Sequence, residues 1–188
     1  MDGGPYRPST ARYVVNTQKA VEVILWLATA KPGVDIYHVV KCAFFADKDH
    51  LNRYGRPVTG DHYEADVYGP KGKCVWGLLR REPEELLALD GNGPPPFQVQ
   101  DNNGWIVEPE RPANLRLLSK SDVECLQKAL DEYGDLSFDE LVELTHREPA
   151  YAAAEGGRIR YEDLLDRGDP LWAEKAADLA ESAQHTVL

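Results

Sequence analysis

Hydrophobic positions recur at three- and four-residue spacing through most of the chain, and glycine and proline cut the pattern into helices of modest length. Val14, Val21, Leu25 and Ala28 predict a helix over 10–30, closed by Pro32 and Gly33. Asp35 stands where an N-cap belongs. Ile36, Val40, Ala43 and Phe44 then predict a second helix reaching Tyr54, with Gly55 as its stop. A third, over 71–81, carries Cys74, Val75, Leu78 and Leu79, and 84–89 adds a turn or two.

Period-two segments are few. Residues 58–68 read as an extended loop or short strand, and Gly69-Pro70 as a turn. After the break at 91–96, Phe97 to Gln100 and Trp105 to Val107 flank Asp101-Asn-Asn-Gly104 as a β-hairpin. Pro109 and Pro112 keep the next stretch irregular. The helical period then returns. Ser119 opens a helix through Val123, Leu126 and Leu130, ended by Gly134. Ser137-Phe-Asp-Glu140 has capping-box spacing, with Leu136 and Leu141 placed as a hydrophobic staple, and that helix reaches Arg147. Pro149 starts a short helix to Ala154, and Gly156-Gly157 breaks it. Residues 158–161 read as extended and 162–166 as a helical turn. Pro170 opens a last amphipathic helix with Leu171, Trp172, Ala176 and Leu179. The fold class is mainly α (α+β): a compact helical domain with a small β-hairpin or short β-sheet.

Charge changes this picture more than composition does. The 188 residues carry a formal net charge of -11. Residues 1–100 hold 12 basic and 12 acidic side chains, whereas 101–188 hold 9 and 20. An acidic surface repels phosphate backbones, so nucleic acid is an unfavourable ligand, while a basic protein partner would be steered in. The longest apolar run, Val23 to Ala28, is far below the ~20 residues of a membrane span. The first residues show no basic stretch leading into an apolar one, so no secretory signal is expected. Cys42, Cys74 and Cys125 are scattered and odd in number, which suits reduced thiols in a cytoplasmic protein.

Candidate chemistry is sparse. His38 and Cys42, four apart on one helix, are two ligands where zinc needs three or four. Asp47, Asp49 and His50, followed by Asp61 and His62, offer a carboxylate–histidine pair, but no nucleophile on a strained turn accompanies them. Gly69-Pro70-Lys71-Gly72-Lys73 precedes a helix and could hold an anion at its N-terminus, although proline removes one amide. His146, at a helix C-terminus, suits a structural role. No phosphate-binding glycine motif is present. The chain is therefore expected not to be an enzyme and to need no cofactor or metal.

Two segments carry a family resemblance. The first runs from Val39 to Pro70: an apolar helix with Ala46-Asp47 and His50-Leu51, then Tyr54-Gly-Arg-Pro-Val-Thr-Gly-Asp-His-Tyr63, then Tyr68-Gly-Pro70. The second, over 126–154, has a helix ending in Tyr133-Gly134, a Ser-led helix, and Thr145-His-Arg-Glu-Pro149. Together they resemble the Panacea, or SocA-like, antitoxin domain. Lys71 stands where the family tends to have an apolar residue, and Tyr151 where it often has tryptophan.

The resemblance covers a Panacea-like domain over 11–154; from the residues, 1–10 read as a flexible lead-in and 155–188 as a helical extension packed on the same domain. The resemblance implies an antitoxin that neutralises a co-encoded toxin by direct binding, and the acidic C-terminal half suits a basic toxin surface. A proteolytic adaptor delivering a bound toxin to a cellular protease is one alternative. A phage-associated regulatory protein without a toxin partner is another. Asp47, His50, Tyr54, Arg56, Asp61, Tyr63, Tyr68, Gly69, Pro70 and His146 are the motif residues that either contact the partner or hold the scaffold. Glycine and proline at turns favour the scaffold role for many of them.

Overall fold

A computed structural model describes residues 12–89, 91, 93–101 and 104–182. The expected lead-in over 1–10, part of the break at 91–96 and the centre of the 101–104 turn lie outside or partly outside these residues. The elements run α1 (Thr17–Ala30), α2 (Ile36–Tyr54), β1 (Tyr63–Asp66), β2 (Gly69–Gly72), α3 (Lys73–Arg80), α4 (Pro83–Leu87), β3 (Phe97–Gln100), β4 (Ile106–Pro109), α5 (Lys120–Tyr133), α6 (Phe138–His146), α7 (Pro149–Ala153), α8 (Tyr161–Leu164) and α9 (Trp172–Ser182). The mainly helical α+β class is confirmed, with two small antiparallel hairpins.

The spine is α2. Asp35 caps it by accepting from the His38 amide, and Gly55 ends it in the left-handed conformation at φ 75°. The buried positions of α2 extend well beyond one stripe, because α5, β2, α3 and α8 all pack on it. Phe45 stacks on Tyr133 of α5 at 3.9 Å between centroids, and Phe44 meets Tyr63 of β1 edge-on at 5.1 Å. All three cysteines are buried and free. His38 and Cys42 do not converge: His38 bonds Asp35 and the Leu136 carbonyl, while Cys42 Sγ faces the Ala129 carbonyl. Ile159, Tyr161, Leu164, Leu165 and Leu179 enter the same core as the preceding elements.

The structure corrects several expected boundaries. The first helix begins at Thr17, not near residue 10, because Asn16 caps it by accepting from the Lys19 amide at 3.1 Å. Val14, assigned above to the helix face, is 77% exposed on the non-helical lead. Tyr13 instead is buried, edge-on to Tyr161. The third helix begins at Lys73; Lys71 and Gly72 belong to β2. Gly69-Pro70 is not the turn. Val67 and Tyr68 turn the chain, and Gly69 and Pro70 open β2 opposite Asp66 and Ala65. Proline is tolerated there because an edge strand need not donate from every residue. The second hairpin pairs Phe97 with Pro109 and Gln100 with Ile106, so its return strand runs two residues past Val107.

Candidate functional site

The motif residues fall into two groups at different depths along α2. Asp47, His50, Arg56, Asp61 and Tyr63 form a polar knot around its C-terminal half. Tyr68, Gly69, Pro70 and His146 meet at its N-terminal end. Tyr54 lies at the outer edge of the knot, its ring 4.6 Å from that of His50. It lies on the surface with Arg53 and Glu124, and the helical rise puts it about 25 Å along the axis from Tyr37.

Within the knot, Asp47 is fully buried and accepts from the Val58, Thr59 and Gly60 amides and from the Thr59 and Tyr63 hydroxyls, all at 2.7–3.2 Å. Tyr161 reaches the same carboxylate at 3.4 Å and donates to the Asp61 carbonyl. Asp61 is equally buried and accepts from the Cys74 and Val75 amides at 2.8 and 2.9 Å. It therefore caps α3 from a distant loop, since Gly72 at the N-cap position has no side chain to do so. At the helix start that follows 69–73, where the sequence allows an anion, the protein's own carboxylate occupies the Cys74 and Val75 amides. Burial pushes the Asp61 carboxyl up to about 7, against the pull of the Val75 and Cys74 amides. Burial likewise raises Asp47 against its Thr59 donors.

His50 is buried, and that burial pushes its imidazole below the usual histidine range. Nδ1–H donates to the Arg56 carbonyl at 2.6 Å, and Nε2 accepts from Ser121 Oγ at 2.9 Å. Asp122, in the capping box of α5, pairs with Lys19 of α1 at 3.0 Å. Its Oδ1 lies 3.1 Å from the Arg56 guanidinium, near enough for charge attraction but off the line of a hydrogen bond, and 3.2 Å from His50 Nε2. Asp49 turns outward to Arg53 and Lys128. Apart from Asp122 Oδ1, these acceptors are filled from within, and Asp47, His50, Asp61 and Tyr63 are buried away from the surface.

The second group builds the β1–β2 tip. Side chains from three helices each donate to a main-chain carbonyl of the hairpin. Tyr151 of α7 binds the Asp66 carbonyl at 3.0 Å, and His146 Nε2 of α6 binds that of Val67 at 3.1 Å. From α2, Tyr37 binds the Tyr68 carbonyl at 2.8 Å and Lys41 that of Pro70 at 2.6 Å. His146 also stacks on Tyr151 at 4.7 Å. Gly69, at φ +94°, lies against Thr145; an added Cβ would sit 2.9 Å from the Thr145 Cβ and closer still to its hydroxyl. The two halves of the motif thus touch: Tyr-Gly-Pro at 68–70 rests on Thr-His at 145–146.

The clamp turns large side chains outward. Val67 is 69% exposed, Tyr68 55% and Phe138 46%. The Tyr68 ring lies 5.6 Å from Phe138, which tilts onto Tyr37 at 4.5 Å. Beneath them Lys41 is 2% exposed, its ammonium 4.9 Å from the Tyr37 ring centre. Burial lowers the Lys41 amine to about 7, partly offset by Asp66. Sequence reasoning missed Tyr37, Lys41, Val67, Phe138 and Thr145. A lysine on an otherwise apolar helix face was the available signal for Lys41.

A family model described as "Antitoxin SocA-like, Panacea domain" matches residues 39–151, more than half of the chain. No curated protein and no solved structure matches it. The matched span contains all ten motif residues, while Tyr37 of the clamp and Lys19 and Tyr161 at the knot lie outside it.

Proposed function

The chain belongs to the antitoxin SocA-like, Panacea domain family, and from that premise we propose that it neutralises a co-encoded toxin by direct, stoichiometric protein binding. The observation that carries this reading is the meeting of the family's two motif segments. They build a rigid tip whose apolar side chains point outward. Binding energy at protein interfaces concentrates in a few aromatic anchors, and anchors held in place beforehand lose little entropy on docking. Neutralisation in this reading is occlusion of the toxin, with no chemistry done by the antitoxin. The knot supports it as scaffold: it fixes the loop after α2 and the start of α3, and so the base of the hairpin.

Co-expression with the adjacent reading frame tests the proposal. The neighbour alone should arrest growth, and this chain should restore growth and co-purify with the neighbour in a fixed ratio. A harmless neighbour that does not co-purify would overturn it. Measuring the neighbour's abundance separates occlusion from delivery to a protease: occlusion leaves its level unchanged, whereas an adaptor lowers it.

A further inference from the structure

We infer that the face formed by Tyr37, Val67, Tyr68 and Phe138 docks a basic partner segment, one that inserts an apolar side chain flanked by lysine or arginine. This rests on the reading of the chain as a protein-binding antitoxin and assigns that activity a surface and a partner chemistry.

The first argument is rigidity. Four hairpin carbonyls, those of Asp66, Val67, Tyr68 and Pro70, are tied down by Tyr151, His146, Tyr37 and Lys41. A turn needs no such bracing to remain folded, because two-residue turns close with main-chain bonds alone. Here the bracing holds Val67 and Tyr68 open to water, and the Phe138 ring continues the same surface. Exposed apolar side chains scattered singly are ordinary, but a contiguous group on a fixed frame marks a contact site.

The second argument is charge. The elements that carry the face are acidic, with exposed Glu64 on β1 and exposed Asp139, Glu140 and Glu143 on α6. Lys71 pairs with Asp66 and Arg147 with Glu143, and Arg158 lies opposite Glu64, which leaves Asp139 and Glu140 in excess. These elements are therefore net negative, as the whole chain is. A second copy would set carboxylates against carboxylates across the apolar centre, and like charges brought together across an interface are costly. A lysine- or arginine-flanked anchor meets both features at once.

Two synthetic peptides of equal length test this, sharing a Leu-Trp core and differing only in lysine/arginine or glutamate flanks. The full chain, labelled for amide NMR, is titrated with each. The basic peptide should shift the amides of 66–69 and 138–146 and lose affinity as salt rises, and the acidic peptide should not. Tyr68→Ala with Phe138→Ala should weaken the basic peptide about tenfold. Glu143→Lys should weaken it through charge alone, and Leu115→Ala, exposed elsewhere, should not. The spectra show directly that each variant is folded. Equal binding of both peptides, no shift at the tip, shifts centred elsewhere, or unchanged affinity in the double variant would each overturn the inference. The growth assay separates the two readings. If the double variant rescues as well as the wild type, the surface is wrong and the antitoxin reading stands. If the wild type does not rescue while the basic peptide maps to the tip, the reverse holds.

Discussion

Gly69 and Lys41 show how closely single residues govern the tip. Gly69 combines a left-handed φ with a close approach to Thr145, so any side chain is both strained and obstructed. Gly69→Ala should cost about 2 kcal/mol or more in chemical denaturation, and should shift the Tyr68 and His146 signals. Lys41 has one polar partner, the Pro70 carbonyl, and its amine is lowered from 10.5 to about 7. The unfolded chain therefore binds a proton at this site between pH 7 and 10.5 that the folded chain does not. Stability owed to Lys41 is full above that range and is lost as pH falls through 7. Relative to wild type, Lys41→Met should be most favourable near pH 7 and should lose ground steadily toward pH 9. Parallel stability curves for the two proteins would refute this.

At the scale of elements, helix ends were the most legible feature and helix starts without a local cap the least. Asp35, Ser119 and Ser137 cap where their spacing says they should, and both serines complete capping boxes. These signals are local: a hydroxyl or carboxylate reaches an amide three residues on. The start of α3 has no such signal, because its cap is Asp61, more than ten residues upstream. Asp61→Ala should cost about 2 kcal/mol and selectively speed exchange of the Cys74 and Val75 amides. Uniform acceleration through the domain would instead show that the carboxylate has no special hold on α3. The first helix was placed too early because its apolar spacing continues back to Val14, whereas Tyr13 leaves the helical path to pack on Tyr161.

Across the whole molecule, buried ions join elements far apart in sequence. Lys19 and Asp122 are 5% and 1% exposed at the side chain and tie α1 to α5. Removing one partner strands the other in the interior. Asp122→Ala should therefore cost about 3–5 kcal/mol, visible as a lowered denaturation midpoint. Glu22, buried on α1, likewise holds the 111–114 segment through both Arg111 Nη atoms and the Asn114 amide. Charge at the surface has a different use. If the acidic chain steers a basic partner, raising ionic strength should slow association several-fold while changing dissociation less. Association independent of salt would remove the electrostatic part of the proposal.

The amino-acid sequence by itself determined the helical class, the ends of many helices, the hairpin after residue 97 and the family, but not the β1–β2 hairpin, whose second strand reads as a turn and a helix start. These rest on periodicity, caps and contiguous motifs, which act over a few residues. It did not determine what each motif residue is for. Asp47, His50, Asp61 and Tyr63 look like reactive or recognition groups in one dimension. Packing buries them and fills their hydrogen bonds from loops far along the chain. Tyr68 and His146 are no more conspicuous in the sequence. They come together at an exposed tip because Gly69 lets β2 settle on Thr145, which brings α6 under the hairpin and turns the Tyr68 ring outward. Exposure is a property of what else packs nearby, so only the tertiary structure could separate scaffold from surface.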